Sequence, residues 1–175
     1  IFITLIIALR WQGISKIIFV ALIVRLIFLI INNHIVYLPD GQMDAKSFES
    51  LAWQFSDDNV YNVYENYLTA QGGTGAYFIS FLIAIPYSFF GRSILLAQSL
   101  SILFGIGSVF LGWLLANKLW NEKTAEKVAW SIALFPTLIS YSVLTMREVY
   151  VSFFILLGIY GIVNWVKTKS YISIL

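Results

Sequence analysis

The chain has 175 residues, 59% of them hydrophobic and only 11% charged, with a mean hydropathy of +0.82. A soluble domain carries about 25% charged residues, so these proportions describe an integral membrane protein and exclude a water-soluble enzyme. Without cysteine, with the single histidine His34 and with a formal net charge of +2, the chain offers no disulfide, thiol nucleophile or histidine-rich metal cluster, and no nucleic-acid partner is expected.

In chain order, the apolar run 1–9 is interrupted by Arg10, Trp11, Gln12, Gly13 and Lys16. A span needs about 20 residues, so this run reads as an interfacial segment or the remainder of a cut span. It lacks the small-residue cleavage site of a signal peptide. The start at Ile1 and the apolar end Tyr171-Ile-Ser-Ile-Leu175 suggest part of a longer polypeptide. The first span is expected over 14–31, with Arg25 near its middle. An arginine there either meets an acid or a lipid phosphate, or snorkels to one face; mid-span placement favours the partnered arginine.

Residues 32–75 form a polar loop holding Asp40, Asp44, Glu49, Asp57, Asp58 and Glu65 against a single lysine, Lys46. Such an acidic loop is expected on the non-cytoplasmic side. Pro39-Asp40-Gly41 reads as a turn. Over 43–56 the spacing of Asp44, Phe48, Leu51, Ala52 and Phe55 predicts an amphipathic helix on the outer membrane surface, with Lys46, Glu49, Ser50 and Gln54 largely off the stripe. Asp44 on the apolar side is either a functional acid or a first-turn acid favoured by the helix dipole. Asp57-Asp58-Asn59 reads as solvated, with a metal pair as the rarer alternative. Tyr61, Tyr64 and Tyr67 read as an interfacial belt. Gln71-Gly-Gly-Thr-Gly75 is a flexible connection without the Lys-Ser/Thr of a phosphate loop.

The apolar segment 76–90, with Pro86 inside, is short for a span. Further spans are expected over 94–119, rich in small residues, over 128–146 with a kink at Pro136, and over 149–166. Arg147-Glu148 falls in the tight connection between the last two. The basic clusters (Arg10 and Lys16; Lys118, Lys123 and Lys127; Lys167 and Lys169) share the cytoplasmic side only if 76–90 does not cross. That segment is therefore expected to be re-entrant or on the surface. The fold class is all-α: a single polytopic transmembrane helical bundle, residues 1–175, with an outer-face amphipathic helix.

This topology brings Asp44 and Arg147-Glu148 to one face of the bilayer. Two acids with cations nearby suit chemistry on a lipid-linked phosphate: one carboxylate takes the proton of an attacking hydroxyl, and the other positions it or holds a divalent metal. An arginine neutralises the leaving phosphate. Equally, Arg147 and Glu148 suit the ends of helices at a turn.

The order of motifs resembles the N-terminal module of membrane glycosyltransferases of the GT-C fold, the superfamily of protein mannosyltransferases, aminoarabinose transferases and oligosaccharyltransferase catalytic subunits. The matching residues are Arg25-Leu26 and Asp44-Ala-x-x-Phe48-x-x-Leu51-Ala52, then Tyr77-Phe78 with the segment ending in Phe90-Gly91. Ser99-Leu100-x-Ile-Leu-x-Gly105 follows, and Pro136 precedes Arg147-Glu148 by about ten residues. The resemblance covers 14–166. It implies Asp44 as general base or metal ligand, Glu148 as the second-loop acid and alternative metal ligand, and Arg147, with Arg25, toward a lipid phosphate. It also implies a polyprenyl-phosphate sugar donor, membrane lipids and partner membrane subunits around the chain, and a divalent metal ion as cofactor. The setting would be a bacterial-type plasma membrane, with displacement at the anomeric carbon on the non-cytoplasmic face. The chain departs from relatives that carry paired first-loop acids, since Met43 and Ala45 flank Asp44, and from those with Lys-Pro-Pro where Gly72–Gly75 stands. The alternatives are a non-catalytic scaffold that keeps the fold and, more weakly, a transporter, for which the spans carry too few polar residues.

Overall fold

The computed structural model describes residues 4, 10–41, 44–56, 60–70, 75 and 77–169. The expectations for the opening apolar run (Thr4 apart), for Asp57-Asp58-Asn59 and for Gln71–Thr74 fall outside them. The chain is all-helical, with eight helices among the described residues: α1 (Gln12–His34), α2 (Asp44–Phe55), α3 (Val60–Thr69), α4 (Phe78–Phe90), α5 (Ile94–Leu119), α6 (Glu122–Leu134), α7 (Pro136–Val143) and α8 (Arg147–Thr168). By length and composition α1, α5 and α8 could each cross a membrane.

α5 is the hub, packed against α1, α6, α7 and α8. Its register with α1 is antiparallel: Gly13 lies against Trp113, Arg25 against Gly105, and Asn33 against Gln98. Ser93 caps α5 by accepting from the Leu96 N–H, and Asn121 caps α6 by accepting from the Thr124 N–H. α8 runs parallel to α5, from Tyr150 beside Ser101 (2.8 Å between hydroxyl oxygens) to Asn164 beside Lys118. The core between α1, α5 and α6 is built of Ile14, Ile18, Ala21, Ile106, Val109, Ala129 and their neighbours.

The sequence over 128–146 predicts one span kinked at Pro136, and the structure has two helices with a break at that proline. α6 begins earlier, at Glu122, and stops at Leu134; Phe135 is extended (φ −67°, ψ 116°) and Pro136 opens α7 as its first residue. Proline disfavours the helical conformation of the residue before it and removes the N–H that the Ile132 carbonyl would use. The two short helices still run the length of α5 in the opposite direction, with Ile132 against Gly112 and Ser142 against Gly105.

Arg10, Lys118, Lys123, Lys127, Lys167 and Lys169 thus gather at one end of the bundle, and α2, α3 and α4 layer across the other. Both ends of α4 stay there: Phe78 stacks edge-on against Phe154 of α8 (5.8 Å between ring centroids), and the Tyr87 hydroxyl lies 3.0 Å from the Ser93 carbonyl. The belt tyrosines ride on α3, where Tyr67 stacks on Phe81 at 4.8 Å while Tyr61 stays exposed.

At Gly105 an added Cβ would stand 2.6 Å from the Ser142 Cβ, whereas at Gly158 it would meet nothing within 4 Å. Gly105→Val therefore lowers stability by about 1–3 kcal/mol through overpacking, and Gly158→Val leaves it nearly unchanged. Thermal unfolding in detergent, followed by helical circular dichroism, distinguishes the two.

Candidate functional site

Where α1 ends, α2 begins and α5 begins, the helices enclose a cleft of about 330 Å³. α1 contributes Asn32 and Asn33, the following turn Tyr37 and Gly41, α2 Ala45, Lys46 and Glu49, α5 Ile94, Leu95 and Gln98, and the α7–α8 turn Leu144 and Thr145.

Its floor is a set of amides. Asn33 and Gln98 donate to each other's carbonyl oxygens at 3.0 and 3.1 Å, and Asn32 donates to Asn33 Oδ1 at 3.1 Å while accepting from the Leu38 N–H at 3.0 Å. Asn32 and Gln98 are buried, so these bonds satisfy polar groups that would otherwise be costly in an apolar wall. The N-terminus of α2 is held by the Thr145 hydroxyl, which donates to the Ala45 carbonyl at 2.9 Å. Lys46 is the cleft's only cation, its ammonium 5.5 Å from the Tyr37 ring centroid.

Glu49 is buried in the wall, and its carboxylate is gripped by Arg92 in the fork geometry that suits guanidinium. Nε donates to Oε1 at 3.0 Å and Nη2 to Oε2 at 2.8 Å. The Tyr87 hydroxyl lies 3.0 Å from Oε1 as well. Hydrogen bonding from Arg92 holds the Glu49 carboxyl below its ordinary value, against the opposing effect of burial. Burial, with the charge of Glu49, raises the Tyr87 phenol. This triad ties α2 to α4 and to the start of α5.

Several predicted residues fall elsewhere. Asp44 is exposed rather than on the apolar side: α2 buries Ala52 and Phe55 of the predicted stripe, but at its start it buries Ala45 and Glu49, with Phe48 and Leu51 half-buried. Alanines on that stripe let α2 sit close to α4, and Arg92 makes the buried Glu49 tolerable. Asp44 does not line the cleft, but its neighbours Ala45 and Lys46 do. Glu148 lies at the same end of the bundle, also outside the lining: Oε1 is 3.5 Å from Arg147 Nε, and Oε2 is buried with no hydrogen-bond partner among the described residues. Arg147 borders a separate groove with α4.

Arg25 is partnered, but neither by an acid nor at a surface that a lipid phosphate could reach. At 1% exposure it donates from Nε to Ser142 Oγ (2.9 Å) and from Nη1 to the carbonyls of Ala21 (3.1 Å) and Ala133 (3.2 Å). For the divalent metal expected on Asp44 and Glu148, no group of three His, Cys, Asp or Glu side chains comes together among the described residues.

Lys46, Glu49 and the amides escaped the sequence reading. A usable signal was present: Asn32-Asn33 at the end of one span and Gln98 at the start of the next become neighbours once the two are antiparallel. No family model, curated protein or solved structure matches the chain.

Because the folded-state pKa of Glu49 is depressed, its stabilisation is complete above the ordinary carboxyl value of 4.5 and is lost as pH falls below it. Glu49→Gln is expected to cost about 1 kcal/mol at neutral pH, Arg92 being partly exposed. Melting curves against pH should show the gap to the parent chain closing under acid conditions.

Proposed function

We propose that this chain is a module of a membrane glycosyltransferase that takes a polyprenyl-phosphate-linked sugar at the end of the bundle opposite the basic clusters. The observation that carries this reading is the mixed lining of the cleft. Amides and a tyrosine suit sugar hydroxyls, Lys46 suits a phosphate, and the exposed Ile94 and Leu95 offer apolar surface where a lipid chain would leave. A lipid-linked sugar presents the same three chemistries.

In this reading Asp44, exposed beside the lining residues Ala45 and Lys46, takes the proton of an acceptor hydroxyl arriving from the aqueous side. The acceptor is a lipid, glycan or protein, and its oxygen displaces the phosphate at the anomeric carbon. Lys46 offsets the charge that develops on the departing phosphate. Glu148 is the second acid: one of its carboxylate oxygens is buried with no hydrogen-bond partner among the described residues, an arrangement that fits a functional role. The gathered lysines and Arg10 suit the cytoplasmic side of a bacterial-type plasma membrane, which turns the cleft to the non-cytoplasmic face.

A second reading is a non-catalytic membrane scaffold or assembly subunit. It is favoured by the carboxylate that lines the cleft among the described residues, Glu49, being engaged by Arg92 and Tyr87.

The protein reconstituted in vesicles with radiolabelled polyprenyl-phosphate glucose, mannose or aminoarabinose decides between them. Transfer of label to membrane lipid or glycan is expected to fall about 100-fold or more in Asp44→Asn, the scale of one general base. Lys46→Ala is expected to lower it too. No transfer by the parent chain, or transfer unchanged in Asp44→Asn, removes the catalytic reading.

A further inference from the structure

α8 is the least covered of the long helices, with 11% of its most apolar stretch buried against 50% for α5. Along one side of it, Arg147, Val151, Phe154 and Ile155 follow helical spacing (i, i+4, i+7, i+8), so they form a single stripe. With Phe78 and Ile79 of α4 as the opposite wall, this stripe lines a groove of about 500 Å³. The groove is apolar except at its head, where the Arg147 side chain is 59% exposed. Its one ionic contact among the described residues is the 3.5 Å approach of Nε to Glu148. A guanidinium has five N–H donors, so most of its donor capacity faces outward.

The groove matches the material around it. Arg147 is the first residue of α8, at the level where a span would leave the hydrocarbon. From there to Ile155 the helix descends about 12 Å, most of the roughly 15 Å depth of one leaflet. A cation above an apolar trough of that depth complements a molecule with a phosphate head and a chain. The second open groove on α8, lined by Leu103, Phe104, Gly107 and Phe153, has no charged residue and selects no such molecule.

We propose that the groove between α4 and α8 is a docking site for a phospholipid of the surrounding bilayer, its phosphate paired with Arg147 and one acyl chain laid against Val151, Phe154 and Ile155. The site is separate from the amide cleft and does not depend on sugar transfer.

Native mass spectrometry of the detergent-purified chain, titrated with phosphatidylglycerol, tests this directly. One tightly held lipid is expected, weakened about tenfold in Arg147→Gln by loss of a charge-assisted hydrogen bond and largely restored in Arg147→Lys. Ile155→Trp, which fills the trough and keeps the cation, should weaken it as well, while diacylglycerol with the same chains should not be retained. Circular dichroism of each variant confirms that the helices are intact. Equal retention of diacylglycerol, or binding unchanged in both Arg147→Gln and Ile155→Trp, overturns the proposal. Stoichiometric displacement of phosphatidylglycerol by undecaprenyl phosphate overturns it too, by giving the groove to a carrier lipid.

Discussion

A guanidinium buried without a carboxylate organises this bundle. Arg25 carries its charge at the centre of α1, where desolvation is expensive, and it is answered by dipoles. The helix break at Phe135-Pro136 ends α6 with carbonyls that lack intrahelical partners, and Arg25 donates to one of them, at Ala133. The C-terminal end of α6 also carries the negative pole of that helix. Ser142 of α7 accepts a second bond from Arg25 and its hydroxyl donates in turn to the Ile139 carbonyl. The break and the arginine are therefore complementary: each satisfies polar groups that the other exposes. Gly105 on α5 makes the meeting possible, because a side chain there would strike both Ser142 and the guanidinium.

A second polar lock sets the layer above. Glu49, Arg92 and Tyr87 fix α2 against α4 and the start of α5, and Thr145 fixes the beginning of α2 to the turn before α8. Between these two fastenings lies the amide cleft. Its walls come from four separated stretches of chain, and both locks must form for Lys46 and the Asn33–Gln98 pair to face one space. The bundle core supplies cohesion through isoleucines, alanines and other apolar residues, while position at the cleft is set by directional bonds.

Hydropathy and length made α1, α5 and α8 legible, because a long uninterrupted apolar run has few other uses. The same averaging blurred 128–146, where a proline break inside an apolar stretch leaves mean hydropathy unchanged while splitting the helix. α2 was legible as a helix, but its buried face only in part. Ala52 and Phe55 were placed on the buried face correctly, but over the first turns Asp44 and Phe48 suggested one edge of the stripe and close packing selected Ala45 and Glu49 beside it. That shift exchanges Asp44 for Glu49 in the wall. The helical form of 60–69 carried only a tyrosine repeat as its trace. Arg25 was recognisable as partnered, but carbonyls freed by a break more than a hundred residues away leave no mark in the local sequence.

That separation also bears on how the chain is made. Ala133 and Ser142 follow Arg25 by 108 and 117 positions, which at about 5–20 residues per second is roughly 5–20 seconds of translation. In a chain that inserts as it is synthesised, α1 enters the lipid with the Ala21 carbonyl as the only one of Arg25's three acceptors already made. Neither α6 nor α7 alone has the length to lodge in a bilayer, so the arginine and the late-arriving pair complete each other's hydrogen bonds only once both are in place.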